Sequence, residues 1–314
     1  MKKRLLHIFL LLVTVTAVTL SSQISAAVRE TVSFCIATLV PSLFPFLVLS
    51  KLLISSGFCA SLGRVMSPLT TRILGLSADC SGVFAVGLIS GYPVGALSAV
   101  ELLKNGRCTR EEAQHLLYFC NNCGPAFMIG AVGGIFSSVK TGLVLWLIQL
   151  ASVMLTALIF NIIRRGGKQE KPSRMNDDTS FDVTSAVRAC ISSMAVICAF
   201  AAFFSAICGI LRATNFFGVM HLLGKVLSGE LLLCTEKLIY GLLEVTLAVS
   251  VHAKNTPMLL AATAFACTFG GASVHMQTAA VCAGSGLSIK KYVALKLIQG
   301  AVAFVLTLAL CYAV

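Results

Sequence analysis

The chain has 314 residues, of which 57% are hydrophobic and only 11% are charged. Soluble domains carry about 25% charged residues, so a chain this poor in charge lacks the polar surface of a water-soluble protein. Disorder is excluded too, because disordered chains have low hydrophobicity. The composition therefore predicts an all-α polytopic membrane protein, with about 20 apolar residues for each helical span.

Basic residues outnumber acidic ones by 24 to 12, which gives a net charge of +12. Lysine and arginine in short loops orient membrane proteins with the positive loops inside, so we interpret the charge as a topology signal. We predict a multi-pass protein of the cell membrane with a cytoplasmic N-terminus, whose first partner is the lipid bilayer. The clusters predicted to lie inside are Lys2–Arg4, Arg64 with Arg72, Lys104–Arg110, Arg164–Arg174, and Lys290 with Lys291.

Neither nucleic acid nor metal is an expected partner. No basic helix is interleaved with aromatic residues, and no zinc-finger spacing occurs. The 13 cysteines lie mostly in apolar runs, where cysteine behaves as a small hydrophobic residue. Cys120 and Cys123 form a single C-x-x-C, which without a second Cys or His pair is a weak zinc signal. We predict no metal and no cofactor.

The N-terminal segment, residues 1–27, combines a basic head with the apolar run Leu5–Leu20. This pattern is typical either of a signal peptide cleaved after Ala27 or of an uncleaved transmembrane helix that anchors the chain. The length of the apolar run favours the uncleaved helix. A second segment, Val32–Ser55, contains two prolines, whose freed carbonyls must find partners within the bilayer.

The next apolar stretch, Ile73–Leu103, is interrupted by glycines and a proline and is a poor continuous helix. Two half-helices meeting at a tip fit it better, so we predict a re-entrant hairpin. Gly91, Pro93 and Gly95 are predicted to shape the tip, because glycine permits close backbone approach. The polar side chains at this tip, and so the candidate solute contacts, are Ser90 and Tyr92.

A capping box, in which Thr109 and Glu112 cap each other's backbone, predicts a helix start. The helix that follows is predicted to break at Gly124 and Pro125, next to Asn121 and Asn122. Adjacent amides at a break offer donors and acceptors to a solute. The alternative is a hydrogen bond between helices, worth about 0.6 kcal/mol on average.

The second half repeats the order of features found in the first. We predict a first half at 28–163, a cytoplasmic linker at 164–182 and a second, inverted half at 183–314. A second hairpin is predicted at about 219–254, which gives about seven crossings and two re-entrant hairpins. Paired broken segments in inverted halves are typical of a transporter-like site near the bilayer midplane.

Two features of the second half carry the remaining candidate contacts. Glu244 lies in an otherwise apolar stretch with Thr246 close by, and a charge at membrane depth costs about 2.5–3.5 kcal/mol. It is either functional or solvated at an aqueous interface. Gly270 and Gly271 predict another break, after which Ser273 and Gln277, four residues apart, share a helix face.

Four motifs together resemble one family of membrane proteins. They are Pro41-Ser42-Leu43-Phe44-Pro45-Phe46, Ser90-Gly91-Tyr92-Pro93-Val94-Gly95-Ala96, Asn121-Asn122-Cys123-Gly124-Pro125-Ala126-Phe127 with Gly130-Ala131-Val132, and Phe269-Gly270-Gly271-Ala272-Ser273-Val274-His275-Met276-Gln277. The chain is similar along nearly its whole length to the YlbJ type of sporulation integral membrane protein, within the nucleoside-recognition or Gate group. The resemblance implies an endospore-forming Gram-positive source and an inverted-repeat Gate fold.

Two functions follow as hypotheses. The chain is either a carrier or gate for a small polar solute or cation, or a non-transporting scaffold for assembly of the spore coat or cortex. A homodimer, or a complex with other sporulation membrane proteins, would suit either one. An enzyme is not expected, since H-E-x-x-H, G-x-S-x-G and an aspartate cluster are all missing from the sequence.

Overall fold

The computed structural model describes residues 2–56, 58–163, 182–216, 218 and 229–313. Over these residues the chain is helical and has no β-strand, which confirms the predicted all-α class. Most of the predicted linker (164–181) and the start of the second hairpin (219–228) lie outside the described residues. The helices are α1 (Lys2–Thr19), α2 (Ser21–Phe34), α3 (Val40–Ser55), α4 (Phe58–Leu74), α5 (Ala78–Ser90), α6 (Val94–Lys104), α7 (Arg110–Cys120), α8 (Gly133–Ile135), α9 (Val139–Ile163), α10 (Val183–Ala213), α11 (Gly229–Leu243), α12 (Val245–Ser250), α13 (Pro257–Phe269), α14 (Gly271–Val281) and α15 (Ile289–Ala313).

Several stretches are long and apolar enough to cross a membrane, as expected for a multi-pass protein. Five are found in the described part of the chain: Ser21–Leu53, Val139–Ile163, Val183–Ala213, Pro257–Val281 and Ile289–Ala313. The bent pair Ser61–Leu74 and Ala78–Ser90, which turns by 93°, makes a sixth if counted as one span. The sequence predicts about seven crossings. The number found is smaller because the apolar helices Leu10–Thr19 and Ala126–Ile135 are too short to count as membrane spans.

The prolines of the second segment are accommodated inside a continuous helical path. Between α2 and α3 the chain widens into a π-helical turn, Cys35–Leu39, in which the Val40 amide bonds to the Cys35 carbonyl. A π-turn shifts the hydrogen-bond register, which is one way a helix passes a proline that cannot donate. Pro45 lies one turn later inside α3.

Among the described residues, four of the predicted helix breaks are present, two in each predicted half. The first, Gly91–Pro93, separates α5 from α6, and the second, Asn121–Gly124, separates α7 from a π-helical segment, Ala126–Val132. In the second half Glu244 separates α11 from α12, and Gly270 separates α13 from α14. Gly91, Gly270 and Gly271 adopt positive φ values of 78°, 92° and 75°, a conformation that favours glycine.

The first two breaks pack against each other through backbone. A Cβ placed on Gly95 would lie 2.2 Å from the Cys120 carbonyl oxygen, and one placed on Gly91 would lie 2.7 Å from the Gly124 amide nitrogen. Real Cβ atoms do not approach that closely, so only glycine fits both positions. Pro93 directly precedes α6 and Pro125 directly precedes the π-segment, where the missing proline N–H removes no hydrogen bond that the helix needs.

Helices α9 and α15, the last helices of the two predicted halves, run antiparallel. Both are 25 residues long, with Gln149 and Gln299 as their respective eleventh residues. Thr141, near the start of α9, shares a groove with Thr307, near the end of α15. Midway along, the Ser152 hydroxyl donates to the Gln299 carbonyl at 2.5 Å. Antiparallel equivalent helices are what an inverted repeat requires, although the inversion itself stays a prediction.

The loops at one end of the bundle bring two predicted inside clusters together. The Arg110 side chain donates to the Gly286 carbonyl, with its Nε at 3.0 Å. Gln114 donates to the Ser288 carbonyl at 3.3 Å. The basic loop before α7 and the loop that precedes Lys290 therefore lie on the same side, as the positive-inside rule expects. The predicted capping box is present, since Thr109 and Glu112 bond reciprocally.

Candidate functional site

Residues at the first three helix breaks, and Val274 and Gln277 of α14 after the fourth, line one cavity, which we call the four-break cavity. Its volume is about 40 Å³, enough for two or three water molecules when about 10–15 Å³ admits one. Apolar side chains form most of the wall, and a few polar groups come from the breaks. The lining residues are Leu39, Leu43, Gly91, Tyr92, Cys123, Gly124, Phe127, Ile197, Ala201, Glu244, Val245, Thr246, Val274 and Gln277.

Tyr92 joins three of the breaks through one hydroxyl group. The hydroxyl donates to the Cys267 carbonyl at 2.8 Å and lies 2.7 Å from the Cys123 sulfur. Cys267 is in the last turn of α13, where carbonyls lose their intrahelical donors. A side chain at the first break therefore satisfies backbone at the fourth and contacts a thiol at the second.

Glu244 has a structural role as the N-cap of the short helix α12. Its Oε2 atom accepts from the Leu247 amide at 2.9 Å and from the Thr246 hydroxyl. At the other end of α12, the buried Lys237 ammonium donates to the carbonyls of Val249 and Val251. A carboxylate at the N-terminus and an ammonium at the C-terminus both oppose the helix dipole, which favours retaining both charges.

The same carboxylate is available to the cavity. Glu244 lines the cavity, and no ion pair to it is found among the described residues. The cavity lining includes neither lysine nor arginine. A buried carboxylate facing a small cavity without a basic neighbour makes the site complementary to positive charge.

The other predicted contacts divide into two groups. Tyr92, Glu244, Thr246 and Gln277 line the cavity together with Gly91 and Gly124. Ser90 does not line it, because its hydroxyl bonds to Ser50 at 2.5 Å and to the Val86 carbonyl at 2.7 Å. Ser273 lies one turn before Gln277, whose amide nitrogen is 3.5 Å from the Ser273 hydroxyl.

Asn121 and Asn122 lie behind the cavity wall, in a buried polar network that ties the second break to α14 and α15. The Asn121 amide donates to Thr278 at 3.0 Å and to the Tyr292 hydroxyl at 2.8 Å. The Asn122 amide oxygen accepts from the Lys296 ammonium at 2.6 Å. The amides therefore make the hydrogen bonds between helices that the sequence left open as the alternative to solute contact.

The sequence analysis missed the buried members of this network on α9 and α15. Lys296, Gln149 and Gln299 are each at most 1% exposed. Gln149 donates to the Cys123 carbonyl at 2.8 Å, and Gln299 to the Tyr118 carbonyl at 3.1 Å. Lys296 and Gln299, three residues apart in a predicted crossing, carry the same signal as Glu244: a polar group within an apolar helix.

The fold and the site define a helical membrane protein in which residues at helix breaks line a small, mostly apolar cavity that contains the Glu244 carboxylate. The chain belongs to the Gate family, described as nucleoside recognition, which it matches over residues 36–202. It is also 24% identical to the sporulation integral membrane protein YlbJ of Bacillus subtilis (strain 168), over 96% of this chain and 81% of that protein. The resemblance seen in the motifs is thus confirmed. No solved structure matches the chain.

Proposed function

We propose that this protein acts in sporulation as a membrane carrier or gate for a small polar solute, bound in the four-break cavity. One observation carries the proposal: residues at three helix breaks, together with Val274 and Gln277 of the helix that follows the fourth, line a single cavity that holds a buried carboxylate. Breaks that face each other near the bilayer midplane expose backbone groups to a solute and provide joints about which half-helices move. The place in sporulation rests on the similarity to YlbJ.

The cavity further favours a cationic solute. Glu244 supplies a buried carboxylate to the cavity, and the lining has no cationic side chain. A volume of about 40 Å³ holds a small cation or a few water molecules but no nucleoside. A larger solute would bind only after the half-helices at the breaks have moved apart.

Uptake into proteoliposomes tests the proposal. Vesicles containing the protein are screened with labelled nucleosides and monovalent cations, alongside empty vesicles. Glu244→Gln keeps an oxygen that can cap α12 but removes the charge, so we expect uptake to fall at least tenfold without loss of folded protein. Glu230→Gln, at an exposed carboxylate in α11, is the matched control and should transport normally.

A spore heat-resistance assay on the same variants distinguishes the carrier from the scaffold. A carrier predicts that Glu244→Gln lowers heat resistance and that Glu230→Gln does not. Normal resistance in Glu244→Gln cells, together with no uptake of any solute by the wild-type protein, would refute transport and favour the scaffold role in spore envelope assembly.

A further inference from the structure

A second concavity lies on the outer surface of the bundle and shares no lining residue with the four-break cavity. It opens between α9, α13 and α15, each part of a stretch apolar enough to cross a bilayer. Its volume is about 160 Å³. We call it the acyl groove; its lining is aliphatic along most of its length and consists of Lys140, Thr141, Val144, Leu145, Ile148, Leu260, Thr307, Leu310 and Cys311.

One end of the acyl groove carries a positive charge. Lys140 is the second residue of α9 and is exposed. It forms no ion pair with any residue that the structure describes, and no acidic residue lines the groove. A 25-residue helix is about 37 Å long, which exceeds the roughly 30 Å hydrocarbon core. The second residue of α9 is therefore at the level of the lipid headgroups.

We propose that the acyl groove binds one anionic phospholipid, with a segment of one acyl chain against the aliphatic walls and the phosphate on the Lys140 ammonium. Surface grooves between membrane helices face acyl chains rather than water, so an aliphatic wall has lipid as its partner. The unpaired ammonium makes the groove selective among lipids, because one basic residue near the membrane surface raises the affinity for an anionic headgroup about fivefold over a neutral one. The proposal is independent of whether the four-break cavity transports a solute.

Fluorescence of Trp146, the single tryptophan of the chain, tests lipid selectivity. Trp146 lies on α9 between the groove residues Leu145 and Ile148. The full-length protein is placed in phosphatidylcholine vesicles, and phosphatidylglycerol or phosphatidylcholine with brominated acyl chains is added to quench it. We expect brominated phosphatidylglycerol to reach half-maximal quenching at about one-fifth the mole fraction that brominated phosphatidylcholine needs.

Two lysine variants separate the groove from general surface charge. Lys140→Gln should remove the preference for phosphatidylglycerol, whereas Lys291→Gln, at an exposed lysine near the opposite end of α15, should retain it. Equal quenching by the two lipids with wild-type protein would overturn the proposal. A preference retained by Lys140→Gln would overturn it as well.

A pair of size variants on α9 tests the acyl-chain contact. Val144→Phe places a ring in the groove, and Leu147→Phe places the same ring on the exposed face of the same helix, where Leu147 is 51% exposed. Val144→Phe should weaken quenching by phosphatidylglycerol at least fivefold, and Leu147→Phe should not. If Val144→Phe binds phosphatidylglycerol as the wild type does, the lipid does not occupy the groove.

Discussion

At the residue scale, the main feature of this protein is its few buried charged side chains. Lys237, Lys296 and Glu244 are each at most 2% exposed within the bundle. Lys237 and Glu244 are stabilised by the two ends of α12, whose dipole suits both. The Lys296 ammonium donates to the Asn122 amide oxygen at 2.6 Å. This charge-assisted hydrogen bond to an amide oxygen therefore stabilises the buried ammonium within the bilayer.

Removing the acceptor for Lys296 should cost more than removing the lysine itself. Asn122→Ala leaves a buried ammonium without its amide oxygen, so we expect a loss of about 1.5–3 kcal/mol in stability, typical of hydrogen bonds to charged groups. The double variant Asn122→Ala/Lys296→Met should regain most of that loss, because the charge is gone. Thermal unfolding in detergent measures both, with the exposed Lys291→Met as control.

A double variant no more stable than Asn122→Ala would contradict this account of the network. It would show that Asn122 acts through its other hydrogen bond, from its amide nitrogen to the Phe119 carbonyl at 2.6 Å.

At the element scale, the helix breaks meet because glycines remove the side chains that would keep them apart. Gly91 and Gly124 come into backbone contact, and Gly271 approaches the backbone of Leu243 at the third break. The Tyr92 hydroxyl adds two side-chain contacts, one with the Cys123 sulfur and one with the Cys267 carbonyl. The breaks are therefore held together by close backbone packing and by a single phenol.

Tyr92→Phe keeps the ring and removes the hydroxyl that links these breaks. The Cys267 carbonyl then loses its side-chain donor, and an unsatisfied buried group costs about 1–3 kcal/mol. We expect lower thermal stability and a several-fold faster alkylation of Cys123 by N-ethylmaleimide, measured by mass spectrometry of the Cys123 peptide. Cys123 is 1% exposed in the intact protein.

Tyr312→Phe is the matched control, because Tyr312 is 75% exposed near the end of α15. It should leave both measurements unchanged. Equal alkylation of Cys123 in the wild type and in Tyr92→Phe would mean that backbone packing alone closes the breaks.

At the scale of the whole molecule, the basic loops gather at one end of the bundle. The start of α7 contacts the loop before α15 through Arg110 and Gly286. The end of α9 lies beside the last turn of α4, where Asn161 donates to the Arg72 carbonyl at 3.3 Å. Since the Pro257–Val281 stretch separates Lys254 from Lys290, these two lysines lie at opposite ends.

Cysteine labelling checks this orientation. We expect a membrane-impermeant maleimide applied to intact cells to label Lys254→Cys and not Lys290→Cys, which should react only after the membrane is permeabilised. Both positions are exposed, and every described native cysteine is at least partly buried, which keeps the background low. Labelling of Lys290→Cys in intact cells would reverse the predicted topology.

The sequence by itself determined the class of protein, the helix breaks and several of the groups at them. Composition decides the class, because 11% charged residues are too few to cover the surface of a soluble protein. Gly124, Pro125 and Gly270 predict breaks, because the backbone conformations that glycine and proline favour depend on the residue itself and not on its tertiary contacts. The capping box could also be predicted from the sequence, because its two partners, Thr109 and Glu112, are only three residues apart.

Only the tertiary structure decided which breaks meet and which polar groups face the cavity. Lys296 and Asn122 bond across 174 residues, and Tyr92 reaches Cys267 across 175. No local rule sets such pairs, because they depend on how the two halves pack. The same packing turned Asn121, Asn122 and Ser90 toward other helices and left Glu244, Thr246 and Gln277 in the cavity wall.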